Sequence, residues 1–375
     1  MATSGRAAVF LGAGKGFAIR DIPIPEIEDE AVLVRITRAG ICGSDLHFWR
    51  GDSKRLAPRS DRGQMLGHEM TGTVAAMGSK VKTDSLGRAL KEGDRVVYSY
   101  FYPCGRCSIC LAGDLYICPN RWRGGMDPDE PPYWTGAYGE YYYLRPGHYV
   151  FKVPDDLSDD EVAPLNCALS QVIFSLELAE VRFGDTVVIQ GAGGLGINAI
   201  AVCRDMGAAE VIAIDAIPGR LELARRFGAT GTIDIGQYPT PKDRIQRVRE
   251  LTGGRGADLV ADLVGFPGAF VEALEFARYG GRVVEVGNIS LGNEVAIDPA
   301  KFVWGGKTVK GVNTYHPAVI PKALAFLQRN RDRFPFQKVV SHHFPLDRIN
   351  EAFEQSEWYG RSGDTTQITR SMIVP

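Results

Sequence analysis

The amino-acid sequence predicts an α/β protein of two domains, one rich in β-strands and one built on a parallel sheet. Three observations support this prediction: the length of the chain, a change of pattern near residue 155, and a glycine-rich turn between a strand and a helix. The chain has 375 residues, which is more than a single hydrophobic core usually holds. Hydrophobic residues make up 45% of it and charged residues 23%, as in ordinary globular proteins.

The first 150 residues contain short apolar runs separated by glycine, proline and aspartate, a pattern typical of strands and turns. After residue 155, strand and helix patterns alternate up to about Lys310, which indicates a parallel sheet with right-handed crossovers. We therefore expect one domain of residues 1–165 and 315–375 and a second of residues 166–314. Segment 121–136 holds three prolines and three glycines, so we expect a long irregular loop there.

The charge balance gives no sign of a polyanionic partner. The 43 basic and 45 acidic residues leave a formal net charge of -2, so neither nucleic acid nor an anionic membrane surface is expected. No apolar run of about 18 residues is present, and the N-terminus lacks the apolar core of a signal peptide. We expect a cytoplasmic protein, in which the reducing environment disfavours disulfides.

Two glycine clusters follow predicted strands, but only one has the spacing of a dinucleotide-binding turn. The cluster at residues 12–16 leads into an extended segment, so we interpret it as a hairpin turn. The other contains Gly191, Gly193 and Gly196 in the pattern G-x-G-x-x-G, between the strand TVVIQ and the helix INAIAVCRDMGA. Such glycines let the backbone turn tightly and approach a pyrophosphate at the N-terminus of the helix.

Asp215 strengthens this interpretation. It ends the next predicted strand, 19 residues after Gly196, where a carboxylate accepts hydrogen bonds from ribose hydroxyls and repels the additional phosphate of NADP. The alternative is that Asp215 only caps the following turn. The glycines, their flanking elements and this carboxylate together predict a doubly wound, Rossmann-type domain that binds NAD in preference to NADP.

Four of the seven cysteines lie within fifteen residues, at Cys104, Cys107, Cys110 and Cys118. Their spacing, C-x2-C-x2-C-x7-C, is typical of a zinc ion held by four thiolates. Disulfides and a redox pair are the alternatives, but a reducing compartment disfavours disulfides and four cysteines exceed what a redox pair requires. Four protein ligands leave no coordination position for a substrate, so we expect this zinc to be structural.

A catalytic zinc instead needs three protein ligands and one open position. Cys42, His68 and Cys167 are suitable ligand types, although their spacing alone is not specific. Cys203 is the remaining cysteine, and its place on the apolar face of a predicted helix favours a buried packing role.

With these motifs, the chain resembles the zinc-dependent medium-chain alcohol dehydrogenases. The resemblance rests on four blocks that occur in order over nearly the whole chain: CGSDLH, GHE-x2-G-x5-G, the four-cysteine segment, and GAGGLG with Asp215. It implies a β-rich, GroES-like catalytic domain beside the Rossmann domain, with a zinc lobe at about residues 100–120. It also implies one catalytic and one structural zinc ion per subunit, NAD+/NADH as coenzyme, and a homodimer or homotetramer.

The resemblance also implies roles for the residues around the catalytic zinc. Cys42, His68 and Cys167 would be its ligands. Glu69 would lie next to the ligands or serve as an alternate ligand. Asp45 would accept a hydrogen bond from the zinc-bound histidine and fix its orientation.

Further roles follow for the proton path, the coenzyme and the substrate. Ser44 and His47 would form a proton relay. The aromatic residues Phe48, Tyr100 and Trp122 lie near the expected substrate position and favour a bulky or cyclic alcohol. The coenzyme would be bound by the glycine loop, by residues at the following strand ends and by one basic residue near the C-terminus: Gly191, Gly193, Gly194, Leu195, Gly196, Asp215, Arg220, Val264 and Arg370.

The activity implied is oxidation of an alcohol, with a secondary one favoured, to an aldehyde or ketone, and the reverse reduction. A polyol dehydrogenase is one alternative, although Cys167 stands where many polyol dehydrogenases carry glutamate. A zinc-free reductase of enones or quinones is disfavoured by the complete ligand set. The alternative from another class is a zinc-stabilised NAD sensor without catalysis, and the relay residues beside the ligands argue against it.

Overall fold

The computed structural model describes residues 3–52, 61–124, 127–357 and 369–375. The chain divides into two compact units, and the α/β class predicted from the sequence is confirmed. The N-terminal segment of the first unit ends at Ser170, five residues later than the predicted boundary at 165, so the first unit includes Cys167. The units comprise Met1–Ser170, His316–Arg331 and Phe336–Pro375 on the one hand, and Gln171–Tyr315 and Asp332–Pro335 on the other.

The described residues form strands and helices that follow the order expected from the sequence. The strands are β1 (Ser4–Phe10), β2 (Phe17–Pro23), β3 (Val32–Gly40), β4 (Gln64–Met65), β5 (Glu69–Met77), β6 (Arg95–Tyr98), β7 (Phe101–Tyr102), β8 (Trp122–Arg123), β9 (Tyr141–Leu144), β10 (Val150–Lys152), β11 (Thr186–Gln190), β12 (Glu210–Asp215), β13 (Gly231–Asp234), β14 (Ala257–Asp262), β15 (Ala277–Glu285), β16 (Thr308–Gly311), β17 (His342–Pro345) and β18 (Ser371–Val374). The α-helices are α1 (Gly43–Arg50), α2 (Ser108–Leu111), α3 (Asp159–Val162), α4 (Ser170–Leu178), α5 (Gly194–Asp205), α6 (Pro218–Arg226), α7 (Pro241–Leu251), α8 (Pro267–Phe276), α9 (Ala300–Gly305), α10 (Val319–Asn330) and α11 (Ile349–Ser356). Across the described ranges, we find no helix with the length and apolar character needed to cross a membrane.

The first unit is built on β-sheets. Its largest sheet has the order β10-β6-β5-β3-β18-β17, and β9 pairs with β3. Strands β1 and β2 form an antiparallel hairpin that ends at the pair Phe10 and Phe17. Its turn is the first glycine cluster, as predicted, and is closed by a hydrogen bond of 2.9 Å from the Leu11 N–H to the Gly16 carbonyl. The ring of Phe17 packs 4.7 Å from that of Phe353 between centroids, so α11 covers the hairpin with apolar surface.

The second unit contains six strands in the order β13-β12-β11-β14-β15-β16. All pairs between them are parallel, as the alternating pattern predicted. From β11 the chain moves outward through β12 and β13, then returns to place β14 on the other side of β11. This reversal creates a switch point at the carboxyl end of β11, where open α/β sheets bind ligands.

One predicted helix is interrupted. The pattern of the segment DEVAPLNCALSQVIFSLELA predicts a single helix, but α3 and α4 are separated by a π-helical turn over Leu165–Leu169. Pro164 begins the interruption, because proline lacks the N–H that a continuing α-helix needs. Its carbonyl instead accepts a hydrogen bond of 3.3 Å from the Leu169 N–H, five residues on. The wider turn changes the direction in which the side chains within it point, and Cys167 is one of them.

Candidate functional site

The four cysteines of the 104–118 segment come together at one point. Their Sγ atoms lie within 4.8 Å of one another, and the pairs Cys104–Cys110 and Cys107–Cys118 are each separated by 4.0 Å. A disulfide would need about 2.05 Å, so the cysteines are free thiols. Four sulfurs bound at about 2.3 Å to a tetrahedral zinc ion lie about 3.8 Å apart. The four thiols therefore fit a zinc ion.

Backbone N–H groups prepare these thiols for a cation. The Sγ of Cys107 accepts a hydrogen bond of 3.5 Å from the Cys110 N–H at the start of α2. The Sγ of Cys118 accepts one of 3.3 Å from the Cys104 N–H. Hydrogen bonding from the backbone, chiefly from the Arg106 N–H, lowers the pKa of the Cys104 thiol to about 6. Since metals bind thiolates, the lowered pKa favours the ligand form of Cys104, whereas burial raises the pKa of the Cys110 thiol to about 12.

A second group of potential ligands consists of Cys42, His68 and Cys167. Their ligand atoms lie within 4.8 Å of one another, and the two sulfurs are 3.9 Å apart. Among the residues that the structure describes, no fourth histidine, cysteine or carboxylate joins this group. Three protein ligands with a free position are the arrangement of a catalytic zinc site. The set predicted from the sequence is thus brought together in space and fits that metal.

Close backbone packing fixes the position of His68 at the start of β5. Gly67 has a φ of 89°, which favours glycine, and a Cβ added to it would lie 2.9 Å from the Ala137 Cβ. A Cβ on Gly72 would lie only 2.2 Å from the Arg35 carbonyl oxygen. The glycines of the GHE-x2-G motif therefore let the backbone approach its neighbours closely. This close approach fixes the position of the His68 backbone.

Asn166 fixes the segment that carries Cys167. Its side-chain oxygen accepts a hydrogen bond of 3.2 Å from the Met70 N–H. Its side-chain nitrogen donates one of 3.0 Å to the Tyr98 carbonyl. The buried amide thus ties the π-helical turn to β5 and β6, so that Cys167 and His68 are held by one network. Sequence reasoning did not identify Asn166, since its partners lie far away in the chain.

The carboxylate of Asp45 lies beside the histidine of this group. Its Oδ1 lies 3.5 Å from the His68 Nδ1, and its Oδ2 accepts hydrogen bonds from the Cys42 N–H (3.0 Å) and the Tyr138 hydroxyl (2.8 Å). The opposite ring nitrogen of His68, Nε2, lies 3.4 Å from the Ser44 Oγ. A carboxylate held at Nδ1 leaves Nε2 as the metal-binding nitrogen.

Glu69 lies beside the ligand group but is not a member of it. It is fully buried, and Arg370, itself 5% exposed, donates a hydrogen bond to its Oε2. A Cβ on Gly40 would lie 2.5 Å from the same oxygen, so glycine makes room for this carboxylate. Burial raises the pKa of Glu69 to about 7, with Arg370 opposing the rise. A contact of Arg370 with a coenzyme phosphate stays a prediction.

The second glycine cluster has the geometry of an anion-binding turn. Gly191 has a φ of 87°, and a Cβ on Gly196 would lie 1.8 Å from the Gly191 carbonyl oxygen. Among the described residues, a Cβ on Gly193 would meet only the Arg220 guanidinium, at 3.8 Å. There is therefore open space above Gly193, and α5 begins with Gly194 at its edge. The unpaired N–H groups of a helix N-terminus face such a space, which fits a pyrophosphate.

Asp215 stands at the carboxyl end of β12 next to this turn. Its Oδ2 accepts a hydrogen bond of 2.7 Å from the Ala192 N–H, and its Oδ1 accepts one of 2.9 Å from the Ile217 N–H. It therefore caps the following turn and also ties it to the glycine loop. The Arg220 Nη1 lies 4.0 Å from Oδ2. Val264 borders the loop too, since its side chain would meet a Cβ on Gly191 at 3.1 Å.

The remaining predicted residues take different positions. The ring of Tyr100 lies 4.8 Å from that of His68, which places it beside the ligand group. Phe48, on α1, packs against the apolar core of the first unit, and Trp122 packs against the Tyr102 ring at 5.1 Å. Leu195 is half-buried in the first turn of α5, and Cys203 is fully buried in the same helix, as predicted for a packing residue.

Two protein-family models match the sequence. Residues 28–155 match the alcohol dehydrogenase GroES-like domain, and residues 194–329 match the zinc-binding dehydrogenase domain. The chain is 32% identical over 352 residues to L-threonine 3-dehydrogenase of Shewanella sp. (strain ANA-3), covering 92% of this chain and 94% of that protein. It is also 32% identical over 335 residues to 5-exo-hydroxycamphor dehydrogenase of Pseudomonas putida, with 89% and 91% covered.

Solved structures agree with these matches. An alcohol dehydrogenase from Thermotoga maritima superimposes with a TM-score of 0.89 at 29% identity over 100% of both chains. An alcohol dehydrogenase from Thermus sp. ATN1 gives a TM-score of 0.81 at 30% identity over 98% of this chain and 99% of that one. The chain therefore belongs to the zinc-dependent medium-chain dehydrogenase family.

Proposed function

We propose that this protein oxidises a secondary alcohol to a ketone with NAD+, and catalyses the reverse reduction, at a zinc ion held by Cys42, His68 and Cys167. The observation that carries the proposal is the three-ligand group, whose atoms lie within 4.8 Å of one another beside a serine hydroxyl. The names of two relatives support the substrate class, because position 3 of threonine and position 5 of camphor are both secondary carbons.

Each group has a separate part in this reaction. Zinc, when bound, supplies a Lewis acid for the alcohol oxygen, and the nicotinamide supplies the hydride acceptor. The Ser44 Oγ lies 3.4 Å from the His68 Nε2. Ser44 accepts the proton of the substrate hydroxyl and releases its own hydroxyl proton toward His47. His47 lies three residues further on the same face of α1 and exchanges that proton with solvent through its imidazole ring.

The second unit would hold the coenzyme at its glycine loop. The open space above Gly193 and the N-terminus of α5 suit the pyrophosphate. The carboxylate of Asp215 would accept the ribose hydroxyls and repel an additional phosphate, which favours NAD over NADP. The four-cysteine zinc would hold its lobe together without contact to substrate.

The test is an assay of the purified protein with primary, secondary, cyclic and polyol alcohols and either NAD+ or NADP+, followed by NADH or NADPH absorbance. We expect NADH from secondary alcohols, a kcat lowered about 100-fold or more by Ser44→Ala because general acid–base catalysis is lost, and weaker discrimination against NADP+ in Asp215→Gly. Cys203→Ala is the matched control and should keep full activity. Absence of reduced coenzyme with every alcohol would overturn the proposal.

A further inference from the structure

His47 has a carboxylate partner that the motif CGSDLH does not contain. The His47 Nδ1 lies 2.5 Å from the Asp52 Oδ2. The contact is made possible by Gly51, which ends α1 in the left-handed conformation with a φ of 73°. The N–H groups of Gly51 and Asp52 both donate to the His47 carbonyl, each at 3.1 Å. The chain therefore folds back at once and places the Asp52 carboxylate against the ring.

The distance decides which ring nitrogen carries the proton. If Nδ1 were unprotonated, its lone pair would face a carboxylate oxygen at 2.5 Å, and the two would repel each other. Arg50 also approaches Nδ1, at 3.1 Å, but the carboxylate is closer. With the proton on Nδ1, the neutral ring keeps its lone pair on Nε2, which is then the nitrogen able to accept a proton.

Arg50 holds Asp52 in place and keeps it charged. Its Nε and Nη2 each lie 2.9 Å from the Asp52 Oδ2, and its Nη1 donates to both oxygens of Glu357 at 2.9 and 3.0 Å. Burial raises the pKa of Asp52, but the hydrogen bonds from Arg50 and His47 outweigh it and leave the pKa below its ordinary value. The carboxylate is thus ionised at neutral pH, so that both of its oxygens act only as acceptors toward Nδ1–H and Arg50.

We propose that Asp52 is the positioning residue of His47: it holds the proton on Nδ1, so that Nε2 receives the substrate-derived proton and releases it to solvent. This inference rests on the relay proposed above. In each turnover Nε2 gains one proton and loses one, while the Nδ1–H bond to Asp52 stays intact. Asp52 touches neither substrate nor metal ligands in this scheme and acts only through the histidine.

The same chain supplies a contrasting pair. His343 contacts Asp160 through its other nitrogen, with 2.9 Å between the His343 Nε2 and the Asp160 Oδ2. A carboxylate at Nε2 favours a proton on Nε2, the reverse of the arrangement at His47. The two histidines should therefore show opposite tautomers in one spectrum, and Asp160 provides a matched control for Asp52.

The experiment is a two-bond proton–nitrogen correlation spectrum of protein labelled with 15N in its six histidines, at a pH where the rings are neutral. His47→Gln and His343→Gln assign the two signals. We expect the proton on Nδ1 of His47 and on Nε2 of His343. Asp52→Ala should convert His47 to a mixture of tautomers and lower kcat about 10-fold to 100-fold, less than the full loss of an acid–base group. Asp160→Ala should change only His343 and leave kcat within a factor of about two.

Two results would overturn the inference: a proton on Nε2 of His47 in the unaltered protein, or an Asp52→Ala variant with unchanged tautomer and kcat. Asp52→Asn is the second variant, because its amide oxygen still accepts from Nδ1–H. It should keep the tautomer and most of kcat. If no alcohol is oxidised by the unaltered protein, the proposed function fails, and the spectra alone then decide whether Asp52 fixes the ring.

Discussion

Asp262 is a single residue whose surroundings are unfavourable to its charge. It is fully buried at the end of β14, in register with Glu285 on β15, and its Oδ1 accepts a hydrogen bond of 3.1 Å from the Val264 N–H. Burial, followed by the charge of Glu285, raises the pKa of Asp262 to about 8. Asp262 and Glu285 cannot both ionise easily as neighbours on paired strands, so the two carboxyl groups together hold a proton near neutral pH.

This proton makes stability depend on pH. In the unfolded chain Asp262 ionises near 3.8, whereas in the folded protein it keeps its proton up to about pH 8. The unfolded state binds fewer protons between these values, so the free energy of unfolding falls as pH rises through this range. The side chain in Asp262→Asn cannot titrate, so the free energy of unfolding of this variant should fall less steeply with pH. The slopes of the two proteins should differ by at most about 1.4 kcal/mol per pH unit. Urea unfolding at pH 5 and pH 8 measures the fall, and equal pH slopes for the unaltered protein and Asp262→Asn would contradict the argument. Glu285→Gln removes the neighbouring charge but leaves the buried Asp262 titratable, so its pH slope should lie between those two.

Residues in local motifs could be predicted, whereas residues paired across the chain could not. As cysteine and histidine, Cys42, His68 and Cys167 were suitable zinc ligands, but their spacing did not select them from the other candidates. The selection came from the family motifs in which they lie. Nothing in the sequence connects Glu69 with Arg370, because 301 residues separate them and their pairing depends on β18 lying beside β3.

At the scale of elements, the start of α5 depends on glycines that differ in what they allow. A Cβ on Gly196 would lie 1.8 Å from the Gly191 carbonyl oxygen, and backbone cannot move aside as a flexible side chain can. At Gly219, in the first turn of α6, an added Cβ would meet nothing within 4 Å in the part of the chain that the structure describes. Alanine substitutions at Gly196 and Gly219 therefore distinguish the effect of steric conflict from the effect of losing a glycine.

We expect Gly196→Ala to lower stability by about 1–3 kcal/mol or more through overpacking and to abolish NAD binding, since the loop must move. Gly219→Ala should be neutral or stabilising by up to about 1 kcal/mol, because alanine loses less chain entropy in a helix. Thermal unfolding and NAD titration followed by fluorescence check both variants. Equal stability and equal NAD affinity in the two would show that the loop tolerates the added methyl group.

The elements themselves were predictable where the hydrophobic pattern was regular. The parallel strands of the second unit alternate with helices, and β11 is buried along its whole length, so its apolar run was a reliable signal. The break between α3 and α4 was missed because Leu165–Leu169 remains apolar and buried. A helical pattern persists through a π-helical turn, which adds one residue without changing the composition.

At the scale of the whole molecule, the proposal gives the two sets of thiols different roles, the four-cysteine group in stability and Cys42 with Cys167 in catalysis. We expect two zinc ions per chain by elemental analysis, with Cys104→Ser and Cys42→Ser each losing one. The first should lower the melting temperature by several degrees, because structural zinc binding contributes to folding free energy. The second should abolish turnover with a smaller thermal effect. Cys203→Ser should retain both ions, and turnover lost in Cys104→Ser without any loss of stability would refute the division of roles.

The place of β18 has a consequence for how the protein is made. This strand lies between β3 and β17 in the largest sheet of the first unit, yet residues 371–374 follow the whole of the second unit in sequence. A ribosome therefore completes the strands of the second unit while the first still lacks an internal strand and Arg370, the partner of Glu69. Since domains tend to fold as units during synthesis, the coenzyme-binding half can finish folding first, and the metal-binding half must wait with an open sheet edge.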